Sequence, residues 1–146
     1  MILVIDASVT AAWIFADERD AYSLQVADHI ANHKGLVPAL WRWEIQNTLL
    51  SAMRRKRIRE ASLAQHLSDL QELNIEYDFT PSFGAEVSLA KEHRLSVYDA
   101  AYLELAMRRN GKLATKDDSL RRAAESAGVY FAAPRTGAVT RWTSSP

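Results

Sequence analysis

The chain has 146 residues, 48% of them hydrophobic, which is the size of one ordinary domain with apolar material for a single continuous core. It contains no cysteine, so a disulfide framework and a thiolate metal site are both excluded, and a reducing compartment, the cytoplasm, is the expected location. Eighteen basic residues balance eighteen acidic ones, so net charge selects no class of partner and any nucleic-acid surface must come from local distribution.

The chain opens with an apolar run at residues 2–5, closed by Asp6. It lacks a basic leading segment and is far too short for a signal peptide or a membrane span, so it is predicted as a buried strand. Aromatic and aliphatic residues Trp13, Ile14 and Phe15 follow on an early helix, and His29 and His33 stand four apart on the next. Without further ligand spacing the two histidines read as a surface pair rather than a zinc site. Residues 36–37 form a second strand followed by Pro38, after which Trp41, Ile45, Leu49 and Ala52 define one helical face with Glu44 at its margin and Trp43 beside it. Basic residues then bunch at Arg54, Arg55, Lys56, Arg57 and Arg59, as they do at Arg108–Arg109 and Arg121–Arg122. Each run reads either as a solvated helix end or as positive surface around an acidic pocket.

Helical spacing returns at residues 60–73, through Leu63, Leu67 and Leu70, and at residues 82–93, through Phe83, Val87 and Ala90, with Pro81 in the first turn. Residues 75–77 and 129–131 are weaker strands, residues 112–115 a stronger one, and Gly111 and Gly128 stand just past helical stretches. Strands alternating with helices imply right-handed crossovers and a mostly parallel sheet covered on both faces, an α/β fold. One domain is expected over residues 1–131, and residues 132–146, with Pro134 and Gly137, form an irregular tail that Trp142 suggests is partly docked.

Four carboxylates occupy places where a parallel sheet positions ligands or where a helix begins. Asp6 and Asp117 follow strands and precede helices, so each reads as a helix N-cap or as a site residue beyond a strand's carboxyl end. Asp99, in Ser96-Val97-Tyr98-Asp99, is close to a capping box, yet its neighbours are apolar on nearly every face, which requires a carboxylate to be paired, metal-bound or protonated. Glu44 reads as a solvated residue, as an ion pair with Arg42 or Arg54, or as a fourth member of one acidic site. Gathered together, such acids repel one another unless a hard divalent cation neutralises them. Mg²⁺ suits this donor set, since it takes a few carboxylates and fills its remaining positions with water and phosphate oxygens.

The order and wording of these segments resemble the PIN domain, in its VapC branch. The likeness rests on Val4-Ile5-Asp6-Ala7-Ser8, on Val37-Pro38-Ala39-Leu40-Trp41-Arg42-Trp43-Glu44-Ile45-Gln46-Asn47-Thr48-Leu49, on Tyr98-Asp99-Ala100-Ala101-Tyr102-Leu103-Glu104-Leu105-Ala106, and on Leu113-Ala114-Thr115-Lys116-Asp117-Asp118-Ser119-Leu120. It implies a three-layer α/β/α sandwich with a mostly parallel central sheet. The implied acidic quartet is Asp6, Glu44, Asp99 and Asp117, with Ser8 and Thr115 as supporting hydroxyls and Asp118 as a substitute for Asp117. It further implies a Mg²⁺-dependent endoribonuclease, with Mn²⁺ as a substitute, that forms a homodimer and pairs with a small antitoxin protein. One ion or two is left open. Trp13, Ile14, Phe15, Trp41 and Trp43 are the expected partner surface, apart from those the core absorbs.

Competing readings are weaker. A receiver domain wants an acidic pair near the first strand, and an aspartate-nucleophile phosphatase wants an acid two residues after the first, where this chain has Ser8. The Walker loop, the dinucleotide glycine fingerprint, the nucleophile elbow and His-Glu-x-x-His are missing from the sequence. Within the family likeness, the alternatives are an RNA-processing nuclease without an antitoxin and a catalytically silent binding module.

Overall fold

A computed structural model describes residues 1–80 and 82–133. The expectations for Pro81, Pro134, Gly137 and Trp142 lie outside the described residues. In chain order the elements are β1 (Leu3–Ile5), α1 (Ala7–Ile14), α2 (Ala21–His33), β2 (Gly35–Pro38), α3 (Trp41–Arg54), a 3₁₀ turn (Glu60–Ser62) and α4 (Leu63–Gln71). They continue with β3 (Ile75–Asp78), α5 (Ala85–His93), α6 (Val97–Arg108), β4 (Lys112–Ala114) and α7 (Asp118–Ser126).

The strands pair in the order β3-β2-β1-β4, all parallel, with Leu3 opposite both Gly35 and Lys112. Leu3, Val4 and Ile5 are completely buried, so β1 reads as a continuous apolar run rather than an alternating one, as a central parallel strand must. The weak strand expected at residues 129–131 is reduced to one bridge, in which Leu113 donates to the Val129 carbonyl and accepts from the Phe131 amide beside β4.

From β1 the chain moves one way along the sheet to β2 and β3, then returns to the other side of β1 at β4. Right-handed crossovers therefore put α1 to α4 on one face and α5 to α7 on the other. Helix contacts follow that division, α1 with α2 and α3, α3 with α4, α5 with α6 and α6 with α7. The strand order reverses between β1 and β4, and the crevice at their carboxyl ends is where such a sheet binds ligands.

Two local expectations change. The helix expected from residue 82 starts at Ala85, because Gly84, at φ 107, takes the N-cap conformation and leaves Phe83 outside the helix and exposed. Its inward face is therefore not the Phe83–Val87 stripe, since Val87 is exposed too and Leu89 packs against the core instead. Gly111 stands just past α6 as expected, and Asn110 before it takes the left-handed turn, at φ 52. Gly111 is required by a close approach, since a Cβ there would lie 2.7 Å from the Ile2 carbonyl oxygen.

The aromatic residues expected as a partner surface divide. Trp13, Phe15 and Trp41 are buried, their size absorbed by the sheet–helix core and its satellite under α1, and Ile14 packs against both, while Trp43 is 63% exposed. No described helix is long and apolar enough to cross a membrane.

Candidate active site

Asp6 ends β1 and caps α1, accepting from the Val9 amide at 3.1 Å, so the capping reading is correct as far as it goes. A cap at a surface helix start needs no more than this. Here the carboxylate is only 4% exposed and takes two hydroxyl donors besides, Ser8 Oγ at 2.7 Å and Thr115 Oγ1 at 2.5 Å. Thr115 follows β4, so that bond spans the crevice where the strand order reverses. The Lys116 amide donates to Ser8 Oγ and the Asp117 amide to Thr115 Oγ1, which ties both hydroxyls to the loop after β4.

Asp117 caps α7 by accepting from the Leu120 amide at 2.8 Å. Asp118 lies one residue further into the helix and is spent in an ion pair with Arg121 at 3.4 Å, with its side chain mostly in solvent. Of the two, Asp117 is the acid that keeps an uncompensated charge beside the crevice. Lys116, between Thr115 and Asp117, does not neutralise it; the ammonium is drawn to the Asp20 carboxylate and the Glu18 carbonyl in the turn before α2.

Asp99 stands in the first turn of α6, where Ser96 Oγ accepts from its amide at 3.0 Å. That is half a capping box, and it leaves the Asp99 carboxylate free of a capping duty. Its surroundings are less apolar than the sequence suggests, since Val97 and Tyr98 are exposed while Ala100 and Leu103 are buried. Glu44, in the first turn of α3, accepts from the Tyr102 hydroxyl at 2.5 Å, and no ion pair joins it to Arg42 or Arg54. Sequence reasoning grouped Tyr102 with the apolar residues of α6. The one available signal was its place one turn after Asp99 on a buried face, where a phenol requires a hydrogen-bond partner.

The electrostatics join the four acids. Burial pushes the Asp6 carboxyl up to about 6, against lowering by its hydroxyl and amide donors, and the Asp99 charge adds to the rise. Burial also raises Glu44, again helped by Asp99, and raises Asp99 itself, helped by Asp117. The Tyr102 phenol is raised by burial, by its bond to Glu44 and by the charges of Glu44, Asp6 and Asp99. Asp99 is thus the acid through which the members are coupled. Among the described residues none of the four takes part in an ion pair, whereas Asp20, Asp78, Glu104 and Asp118 all do.

These donors fit a hard divalent cation. All are oxygens, they are mutually repulsive, and among the described residues no protein cation pairs with them. They do not form a closed cage: among the described residues no three acidic or imidazole groups converge on one point. An ion there would be shared between few side chains and several waters, as Mg²⁺ favours. His29 and His33 only pack ring to ring, 4.8 Å apart, with His29 also against Phe131.

A parallel α/β sandwich with an acidic crevice at its strand-order reversal is the architecture these observations define. The sequence matches the PIN domain family over residues 3–126. It is 32% identical over 124 residues to the ribonuclease VapC3 of Pyrobaculum aerophilum, a match that covers 82% of this chain and 92% of that one. The chain belongs to the PIN domain family, in its VapC branch. Its fold is similar to a crystal structure of PAE2754 from Pyrobaculum aerophilum, with a TM-score of 0.67 and 22% identity over 86% of each chain.

Proposed function

We propose that this protein is a divalent-metal-dependent endoribonuclease and the toxin of a toxin–antitoxin pair. The carrying observation is the set of four carboxylates held around the crevice, coupled through Asp99 and, among the described residues, paired with no cation. The RNA substrate and the antitoxin setting are supported by the ribonuclease VapC3 relative.

In this reading Asp6, Glu44, Asp99 and Asp117 hold Mg²⁺, with Mn²⁺ as a substitute. When bound, the ion supplies an activated water and stabilises charge on the phosphoryl and leaving oxygens. Ser8 and Thr115 fix the Asp6 carboxylate. The Tyr102 hydroxyl fixes Glu44, and the Leu120 amide takes one oxygen of Asp117 and leaves the other for the crevice. An acid whose affinity for protons is raised, as those of Glu44 and Asp99 are, suits the removal of a proton from the attacking water. The protein acts in the cytoplasm as a homodimer, and its antitoxin covers the acidic crevice and the exposed aromatic residues beside it.

The test is cleavage of RNA by protein freed of any antitoxin. Cleavage is expected only with Mg²⁺ or Mn²⁺, and Asp6→Asn or Asp99→Asn abolishes it while the circular dichroism spectrum is unchanged. Full cleavage by both variants in EDTA would exclude the reading.

A further inference from the structure

A polyanionic substrate meets a difficulty at this crevice. A divalent ion neutralises the acids and the phosphate being cut, but neighbouring phosphates of the same strand still face a cluster of carboxylates. Cations beside the crevice, rather than in it, are what the chemistry requires.

Several arginines do not meet that requirement, because carboxylates already engage them. Arg57 is held by Asp17 and Glu18, Arg108 by Asp78 and Glu104, Arg109 by Asp78, and Arg121 by Asp118 and Glu125. Arg94 and Arg122, like Arg19, Arg42, Arg54, Arg55 and Arg59, take part in no ion pair among the described residues, and these two share one cleft. Both line a cleft of about 440 Å³ between the end of α5 and the first turns of α7, together with His93, Ser119 and Ala123. The volume falls within the range of roughly 300–1,000 Å³ usual for small-ligand pockets. No carboxylate is among its lining residues, although Glu92 lies 3.9 Å from the His93 imidazole.

Chain continuity sets the cleft next to the acids. Arg94 stands two residues before Ser96, the cap of the helix that carries Asp99, and Ser119 lies in the first turn of the helix that Asp117 caps. Arg94 also closes α5 in the left-handed region, at φ 55, where glycine or asparagine is the less strained choice.

We propose that this cleft is a phosphate subsite for the RNA strand, binding a backbone phosphodiester adjacent to the one that is cut. The Arg94 and Arg122 guanidiniums supply the charge and the Ser119 hydroxyl a neutral donor. The proposal rests on the ribonuclease reading, and the experiment separates the two. The parent is the full chain carrying Asp99→Asn, in metal-free buffer, so that binding is read without cleavage. Its affinity for a short fluorescent single-stranded RNA is measured by anisotropy over a several-fold range of KCl.

Adding Arg94→Gln and Arg122→Gln is expected to weaken binding about tenfold and to flatten the slope of log affinity against log salt by about 0.7 for each phosphate that is no longer neutralised. Arg94→Lys with Arg122→Lys restores most of the slope. Arg54→Gln with Arg59→Gln, the same charge change at the end of α3 and the loop after it, leaves it unaltered. A parent that binds RNA with the same slope in the cleft variant, or equal losses in the cleft and loop variants, overturns the subsite alone. A parent that binds RNA neither in metal-free buffer nor with Ca²⁺ added to neutralise the acids overturns the ribonuclease reading and the subsite with it. Thermal melts check that every variant is folded.

Discussion

At Asp6 a structural duty and the proposed chemical one fall on the same carboxylate, and pH separates them. Its folded pKa, about 6, lies above the ordinary 3.8, so the folded chain binds this proton more tightly than the unfolded chain does. The ionised carboxylate therefore costs stability above about pH 6, on the order of 3 kcal/mol for a shift of roughly two units, and the cost is relieved as pH falls toward 4. His29 acts oppositely in the same range, because burial, with the charge of His33, lowers its pKa and its protonation disfavours folding. A difference between variants isolates Asp6. Without metal, Asp6→Asn is expected to be more stable than wild type at neutral pH, with the gap closing on acidification, as read by urea denaturation. A gap that widens on acidification would contradict the assignment. Tyr102→Phe tests the neighbouring contact: a hydrogen bond to a charged acceptor is worth about 1.5–3 kcal/mol, so its loss from Glu44 lowers kcat roughly 10- to 100-fold. The acid limb of the pH–rate profile moves upward, because the bond holds the Glu44 pKa down. Unchanged kcat with an unchanged profile would make the tyrosine a packing residue only.

Among the elements, helix starts carry the acids in different ways, and the differences are measurable. Asp117 accepts the Leu120 amide and is a true cap, whereas Asp99 donates its amide to Ser96 and caps nothing. Asp117→Ala should therefore cost about 0.5–2 kcal/mol without metal. Asp99→Ala should leave the metal-free melting temperature unchanged or raised, since it removes the charge that raises both Asp6 and Glu44. Both lose the Mg²⁺-induced rise in melting temperature and RNA cleavage, because an ion that binds only the folded state stabilises it by mass action. If both kept their Mg²⁺ response and RNA cleavage, neither acid would belong to the metal site. The same elements show what the sequence could express. The strands were legible because short apolar runs such as Leu3-Val4-Ile5 end abruptly at polar residues, and Asp6 and Asp117 were legible because they sit at or just past those ends. The start of α5 was not, because Gly84 sets it by backbone conformation while Phe83 continues the apolar spacing outside the helix. The bond between Glu44 and Tyr102 joins residues 58 apart in the chain, a pairing that no local pattern encodes.

For the molecule as a whole, the division of the aromatic residues decides where a partner can bind. Trp41 is buried and Trp43 is 63% exposed although only one residue separates them, because the helical period turns Trp41 toward the sheet and Trp43 away from it. Trp43 precedes Glu44 on α3, and Tyr98, 68% exposed, precedes Asp99 on α6, so two large exposed rings stand one residue along the chain from acids of the crevice. Truncating an exposed ring changes folding stability by no more than about 0.5 kcal/mol, whereas an aromatic anchor in an interface is worth about 2 kcal/mol or more, roughly thirtyfold in affinity. Trp43→Ala and Tyr98→Ala are therefore expected to leave the melting temperature nearly unchanged and to weaken antitoxin binding by at least about tenfold. Trp41→Ala, by contrast, empties a core position and should cost about 3–5 kcal/mol of folding stability. Thermal melts and titration with the antitoxin read the two parts of the prediction, and light scattering at micromolar concentration, with affinity purification from the native host, tests whether there is a partner at all. A strictly monomeric wild type with no co-purifying small protein would remove the partner from the proposal. A complex that forms with undiminished affinity in both exposed-ring variants would place the antitoxin elsewhere on the surface.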